Sequence, residues 1–499
     1  MAERVWEELS RTLRSSAPYR ALLAGLGEVV RLPVPAAAWV SQLLSEDLGR
    51  PLLALVPREA DALTWMEAAQ LFGREEGAVY FPAPSLTPYQ ETETSLQVRA
   101  QEALALDRVL AGGATTVVAT PRALFRLLPS AADFAAARLT LRPGDEHPPE
   151  RLVERLLAHG YRRTDLVYEV GDFAVRGGIL DLFPPGEAAP VRLDYFGDTV
   201  EAIRWFDPQS QRSEDTLDEV RVLPLLLFPG GPGEVARLAD LLLRYDPDLG
   251  PEGAERIEAL RERGGFPGWE HYLALLAPST VTLPELLGEP LVVAVEPAAL
   301  AAEAEHHAER LAADFAARRE HRRLAVPPEA LEAPAKRVLA DLRGAEVRIG
   351  DLLPAAAAPA PRRESIRVVS DQSIGVPSAP RPAGRAPIDF HGAATDLFHG
   401  QLPRFPQEVA TARARGERCL VVVPPLHRRR MEELFEARDV RVRGGGPGIV
   451  GPGGVELVAG DLSRGFRLPP AGVVVYGEQQ LLPQAKPQMR PPARGRFGP

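Results

Sequence analysis

From Pro35 to Leu128, short apolar runs alternate with stretches in which apolar residues recur every three or four positions. A run of four to six apolar residues bounded by turn-formers suits a buried strand, and a 3.6-residue period suits a helix with one face in a core. The spacing predicts strands over residues 51–56, 78–81 and 115–119, helices over 58–72 and 95–110, and a short helix opening at Pro121. Strands separated by helices are too far apart in sequence for tight hairpins, so they pair in parallel and the region reads as α/β.

Near Leu139 the period changes. After a predicted helix over 150–158 come strands that alternate apolar and polar residues between tight turns. Residues 191–196, then Gly197-Asp198, then 199–206, have the length and turn chemistry of a two-residue hairpin. This is an inserted antiparallel α+β unit. Helical text returns over 225–350, with its longest runs at 251–263 and 297–323 and a strand at 290–295. Residues 355–386, rich in Ala, Pro and Arg, lack the apolar side chains for a core and read as a linker broken by a strand at 366–369. A last α/β unit follows, with strands at 419–423, 455–458 and 473–476 and a helix at 426–437. Residues 486–499 carry four basic and no acidic side chains among prolines and glycines, a basic flexible tail that looks like a linker to something further on.

Composition narrows the chemistry. The 499 residues are 45% hydrophobic and 25% charged, and no apolar stretch approaches the ~20 residues of a membrane helix. Glu3, Glu7 and Glu8 sit where a secretory leader would be basic and then apolar, so the expected location is cytoplasmic and no membrane partner is expected. Cys419 is the only cysteine, which excludes an internal disulfide or a multi-cysteine zinc site. A net charge of -10 argues against coating nucleic acid over the whole surface, although a local patch stays compatible with it. Lys336 and Lys486 are the only lysines, so 56 of the 58 basic residues are arginines. A phosphate-cradling P-loop needs Gly-Lys followed by Ser or Thr, and neither lysine stands in that context.

Candidate catalytic groups are sparse. Asp145-Glu146-His147 spells a helicase acidic motif, but Arg-Pro-Gly precedes it where a buried strand should aim the carboxylate at magnesium. Gly25-Leu26-Gly27 lacks the third glycine and preceding strand of a phosphate loop. His306, His307 and His321 lie in a strongly charged run that reads as a solvated helix face rather than a metal site. Cys419 opens an apolar strand as an inert core residue. Asp389, His391 and His399 have no serine or cysteine nucleophile beside them and read as a loop.

The informative segment is 171–212. It holds Gly171-Asp-Phe-Ala-Val-Arg-Gly-Gly-Ile-Leu-Asp-Leu-Phe-Pro-Pro-Gly186, then Val191-Arg-Leu-Asp-Tyr-Phe196, then Phe206-Asp-Pro-Gln-Ser-Gln-Arg212. These residues resemble the second domain of bacterial transcription-repair coupling factors, a domain that family shares with the excinuclease protein UvrB. Leu86-Thr-Pro-Tyr89, Gly265-Phe-Pro-Gly-Trp-Glu270, Gly465-Phe-Arg-Leu468 and Tyr476-Gly-Glu-Gln-Gln-Leu-Leu482 resemble other parts of the same N-terminal region.

The resemblance implies an α/β multidomain chain. Residues 1–130 would begin a degenerate RecA-like, P-loop-type domain without a Walker A loop. Residues 131–222 would form the inserted α+β domain that docks the excinuclease protein UvrA, and 223–352 the helical completion of the first domain. Residues 353–385 would be the linker, 386–485 a separate small α/β domain, and 486–499 the tail. Where UvrB has its P-loop, this chain has Leu32-Pro-Val-Pro-Ala-Ala-Ala-Trp39, and no Gln-x-x-Gly-Arg-x-x-Arg motif appears. The implied function is recruitment without catalysis, bringing nucleotide excision repair to RNA polymerase stalled at DNA damage. An RNA polymerase-binding domain and an ATP- and magnesium-dependent duplex DNA translocase would follow in the complete protein. No cofactor or metal is expected in this part. A divergent UvrB with ATPase and helicase activity, and a module whose surface packs inside the molecule, are the alternatives.

The family's docking positions fall on Arg176, Arg192 and Phe196. Alternation on 191–196 points Val191, Leu193 and Tyr195 one way and Arg192, Asp194 and Phe196 the other. Spacing alone leaves two readings of that second face. It is an exposed interface, or Phe196 tucks under the hairpin while the arginines pair with Asp194, Asp172 or Glu201.

Overall fold

The computed structural model describes residues 2–72, 77–83, 86–90, 92–113, 115–350, 386–398, 402–438, 440, 442–443 and 454–481. The predicted linker with its strand at 366–369, His399 and the basic tail all lie outside the described residues. Two compact units emerge, one of Met1–Asp47 with Glu346–Pro483 and the other containing Leu48–Ala345.

The 48–345 unit contains four parallel strands in the order Leu291–Val295, Leu52–Leu55, Thr116–Ala119, Ala78–Phe81. The strand that follows the insert thus pairs with one that precedes it. Helices Glu59–Leu71 and Leu96–Leu110 supply the crossovers where the periodicity places them. Ser95 caps the second by accepting from the amide of Val98, and Pro121 opens a 3-10 turn, Pro121–Phe125. The helix Pro251–Arg263 starts at a proline and stops at Gly264, whose φ of 79° closes its last turn. The run predicted over 297–323 ends earlier, as Pro297–Glu320, because Arg322 turns into the left-handed region at φ 51°.

The insert is a six-stranded, mostly antiparallel sheet ordered Ser213–Thr216, Thr199–Phe206, Val191–Phe196, Ile179–Leu182, Asp172–Arg176, Arg162–Arg163. One face carries Phe173, Leu180, Leu182, Val191, Leu193 and Ile203 into a core completed by Leu152 and Leu156 of the helix Pro149–Ala158. Both hairpins turn through a left-handed glycine, Gly177 at φ 58° and Gly197 at φ 61°. Asp145-Glu146-His147 runs beside the second hairpin, where Glu146 bridges to Thr199, so the triplet is a connecting edge.

In the other unit, Glu28–Val30 pairs in parallel with Val347–Gly350 and Ile388–Asp389. Of the segment compared with a P-loop, Leu32–Trp39, only Leu32 and Pro33 connect, and the rest lies in the helix Val34–Leu48. A second sheet has Val473–Gly477, Arg418–Val423 and Val455–Ala459 as its parallel centre, with Phe466–Leu468 antiparallel at its side. Its helix is Arg428–Glu436, two residues later than predicted, since Pro424-Pro425 lead first into a 3-10 turn. The fold class is therefore mixed α/β with parallel and antiparallel sheets in several cores. Among the described residues, no helix is long and apolar enough to cross a membrane.

Candidate protein-docking surface

The face of the inserted sheet opposite its core carries the three predicted residues. Register sets the two arginines around Asp181, with Asp181 opposite Arg192, Arg192 opposite Arg204, and Arg176 opposite Ile179, while Phe196 lies further along its strand, opposite Thr199. Phe196 ends its strand at the hairpin and is 79% exposed, while Val191 and Leu193 on the other parity are fully buried. A bulge at Glu201, between the pairs Val200–Tyr195 and Ala202–Asp194, twists the hairpin next to Phe196.

The arginines pair with Asp181, a residue that strand alternation alone does not single out. Asp181, 1% exposed, accepts from Arg192 Nε at 2.7 Å and Nη2 at 2.9 Å, a two-bond fork. Arg176 Nη2 donates to the same carboxylate at 2.8 Å. Of the partners expected in the packed-inside reading, Asp172 and Asp194 are engaged elsewhere, by Arg162 and Arg204, and Glu201 is exposed. The bond to Asp181 holds the Arg192 guanidinium above its ordinary pKa, against the opposing effect of burial. Its carbon lies 4.7 Å from the centre of the Phe206 ring, a cation–π contact. Phe206 in turn closes a small apolar cluster with Val167, Ala174 and Phe183 on this face.

The loop after Phe206 completes the arrangement. Arg192 Nη1 donates to Gln211 O at 3.2 Å, and Arg176 Nη2 donates to Gln211 Oε1 at 3.0 Å. Gln211 has a left-handed backbone, φ 60°, in a loop tied by its own amide to Asp207 O at 2.8 Å. The Asp207 carboxylate accepts the amides of Ser210 and Gln209, which hold it below the usual carboxylate range. Asp207-Pro-Gln-Ser-Gln211 thus forms a brace for the arginine pair.

The other candidates resolve differently. His307 is buried rather than solvated: its Nε2 meets Glu332 Oε2 at 2.7 Å and its ring packs on Phe125. It faces inward because Leu300, Ala304, His307 and Leu311 share one stripe of the helix. His306 and His321 are exposed. Arg31 bonds both Asp389 and His391, drawing the Asp389 carboxyl below its ordinary pKa. Cys419 is buried, which pushes its thiol up to about 12 and leaves it unreactive. Among the described residues, no group of three or more His, Cys, Asp or Glu could hold a metal ion.

A cavity of about 40 Å³ is lined by Arg99, Glu102, Arg126, Glu270 and His271 together with Leu225–Phe228, where the chain leaves the insert. Arg99 pairs with Glu270 at 2.5 Å and Arg126 forks onto Glu102. Burial lowers His271 to about 4, so the imidazole is neutral at pH 7.

Residues 139–228, the segment that builds this sheet and its core, match the family model of the UvrB interaction domain. Over 237 residues the chain is 26% identical to the transcription-repair-coupling factor of Bacillus subtilis, covering 46% of this chain and 20% of that protein. It is 36% identical over 196 residues to that of Myxococcus xanthus, covering 38% of this chain and 16% of the relative. Against the Escherichia coli protein it is 40% identical over 91 residues, 18% of this chain and 8% of the relative. The matched stretches span a fifth or less of these relatives' own length. Residues 139–228 thus match a UvrB interaction domain, and part of the chain is similar in sequence to the transcription-repair coupling factors.

Proposed function

We propose that this chain is a recruitment module and that the outer face of its 139–228 domain docks the excinuclease protein UvrA through Arg176, Arg192 and Phe196. The observation that carries the reading is Phe196, a large aromatic 79% exposed on the face that also presents the arginine pair. Aromatics and arginines dominate protein interfaces because they bury much area with few rotors or make several directed bonds. Kinship with the coupling factors supports a role in DNA repair linked to transcription. On this reading the parent protein brings excision repair to RNA polymerase stalled at damage, through a polymerase-binding domain and an ATP-driven duplex DNA translocase that lie in its further domains.

The chain itself takes no catalytic part in that scheme and needs no nucleotide or metal. Proline at 33 and 35 and the lack of a Gly-Lys pair support this, since a phosphate cradle needs consecutive amide donors and an ammonium. Titration of purified UvrA into the chain, with ATP turnover of the chain alone measured in parallel, tests both statements. Saturable binding without turnover is expected. ATP hydrolysis by the pure chain would instead favour a divergent UvrB.

A further inference from the structure

The two arginines of the docking face differ in what they have left to offer. Arg192 directs Nε, Nη1 and Nη2 into Asp181, Gln211 O and the Ser213 hydroxyl, and its side chain is 13% exposed. Arg176 commits only Nη2, shared between Asp181 and Gln211, and its side chain is 47% exposed. Its Nε and Nη1 have no partner among the described residues. Both guanidinium groups are tethered to one buried carboxylate, and a braced loop holds them from the other side.

We infer that Asp181 and Gln211 are positioning residues of this surface, fixing Arg176 so that its free N–H donors meet a carboxylate or carbonyl group of the partner. The inference rests on the docking reading above and deepens it. A long exposed arginine normally loses rotamer freedom on binding; one already pinned at Nη2 loses less, so the complex dissociates more slowly. Asp181 also cancels one of the two positive charges on the face, and charge alone acts in the opposite sense. Removing it would leave a more positive surface and speed association with an acidic partner. Positioning and charge therefore predict changes in different rate constants.

The test is binding kinetics of the full chain with purified UvrA. Asp181→Asn and Gln211→Ala are compared with wild type, with Phe196→Ala, and with the pair Arg176→Ala/Arg192→Ala, the last with and without Asp181→Asn. Positioning predicts that Asp181→Asn raises the dissociation rate about tenfold without slowing association, and that Gln211→Ala raises it a few-fold. It also predicts that Asp181→Asn adds less than twofold once both arginines are gone, because its effect passes through them. An equal loss with and without the arginines would show a merely structural role and overturn the inference. Unchanged dissociation in Asp181→Asn and Gln211→Ala, with Phe196→Ala still impaired, would overturn it and leave the docking reading standing. Should Asp181→Asn melt early, Gln211→Ala on its exposed loop decides alone. Absence of binding by the wild type would refute the docking reading itself and the inference with it.

Discussion

Arg192 and Asp181 face each other across adjacent antiparallel strands and close a two-bond fork at 2.7 and 2.9 Å, with the carboxylate 1% exposed. Removing one partner of such a pair leaves a buried charge short of donors, which costs about 3–5 kcal/mol when burial is complete. Here Arg176 still donates one bond, so the expected loss for Arg192→Ala is about 2–3 kcal/mol. Arg176→Ala keeps the fork and should cost about 1 kcal/mol or less. Urea denaturation of the two variants checks the order; equal losses would contradict it.

Phe196→Ala should leave folding unchanged to within about 0.5 kcal/mol, because so exposed a ring supports little of the sheet. The same substitution should weaken UvrA binding at least tenfold, the effect of losing an interface anchor worth about 2 kcal/mol. A clear fall in melting temperature would mean that the ring packs against the fold.

Acid should weaken the 48–345 unit before most carboxylates titrate. His159 and His271 are each lowered to about 4, mainly by burial, from an unfolded value near 6.5. As pH falls below 6.5 the unfolded chain takes up protons that the folded one refuses. Stability is therefore full above pH 6.5 and declines by about 1.4 kcal/mol per pH unit for each histidine down to about pH 4. His159→Gln and His271→Gln should each flatten the slope measured between pH 6.5 and 5. An unchanged slope in both would contradict the assignment.

Gly171 opens the informative segment at φ 95°, and a Cβ there would stand 2.8 Å from Leu225 Cδ1 and 3.3 Å from both Leu96 methyl carbons. Gly171→Ala should cost about 2 kcal/mol, combining left-handed strain with overpacking. Thermal melting reads the loss, and if packing is the cause Gly171→Ala should cost less when measured in a Leu225→Ala background than in the wild type.

Period and turn chemistry make the architecture legible where each element keeps one buried face. The strands 52–55, 78–81 and 116–119 and the hairpin at Gly197-Asp198 follow directly from it. Val34–Leu48 does not announce itself because it is buried nearly all round, with eleven buried residues in a row, and so shows no amphipathic stripe. His307 reads as solvated since charged neighbours hide the Leu300-Ala304-His307-Leu311 stripe on which it lies. Asp181 is legible in principle: between Leu180 and Leu182 it takes the outward parity, and hairpin register sets it opposite Arg192. Gln211 cannot be found that way, because its reach depends on a left-handed backbone inside a loop.

The most direct test of the recruitment account is calorimetric titration of UvrA into the wild-type chain and into the Arg176→Ala/Arg192→Ala/Phe196→Ala variant, with circular dichroism showing both folded. The account predicts saturable one-site binding by the wild type and its loss in the folded variant. Equal binding by the two proteins would move the docking site elsewhere, and no binding by the wild type would contradict the account outright.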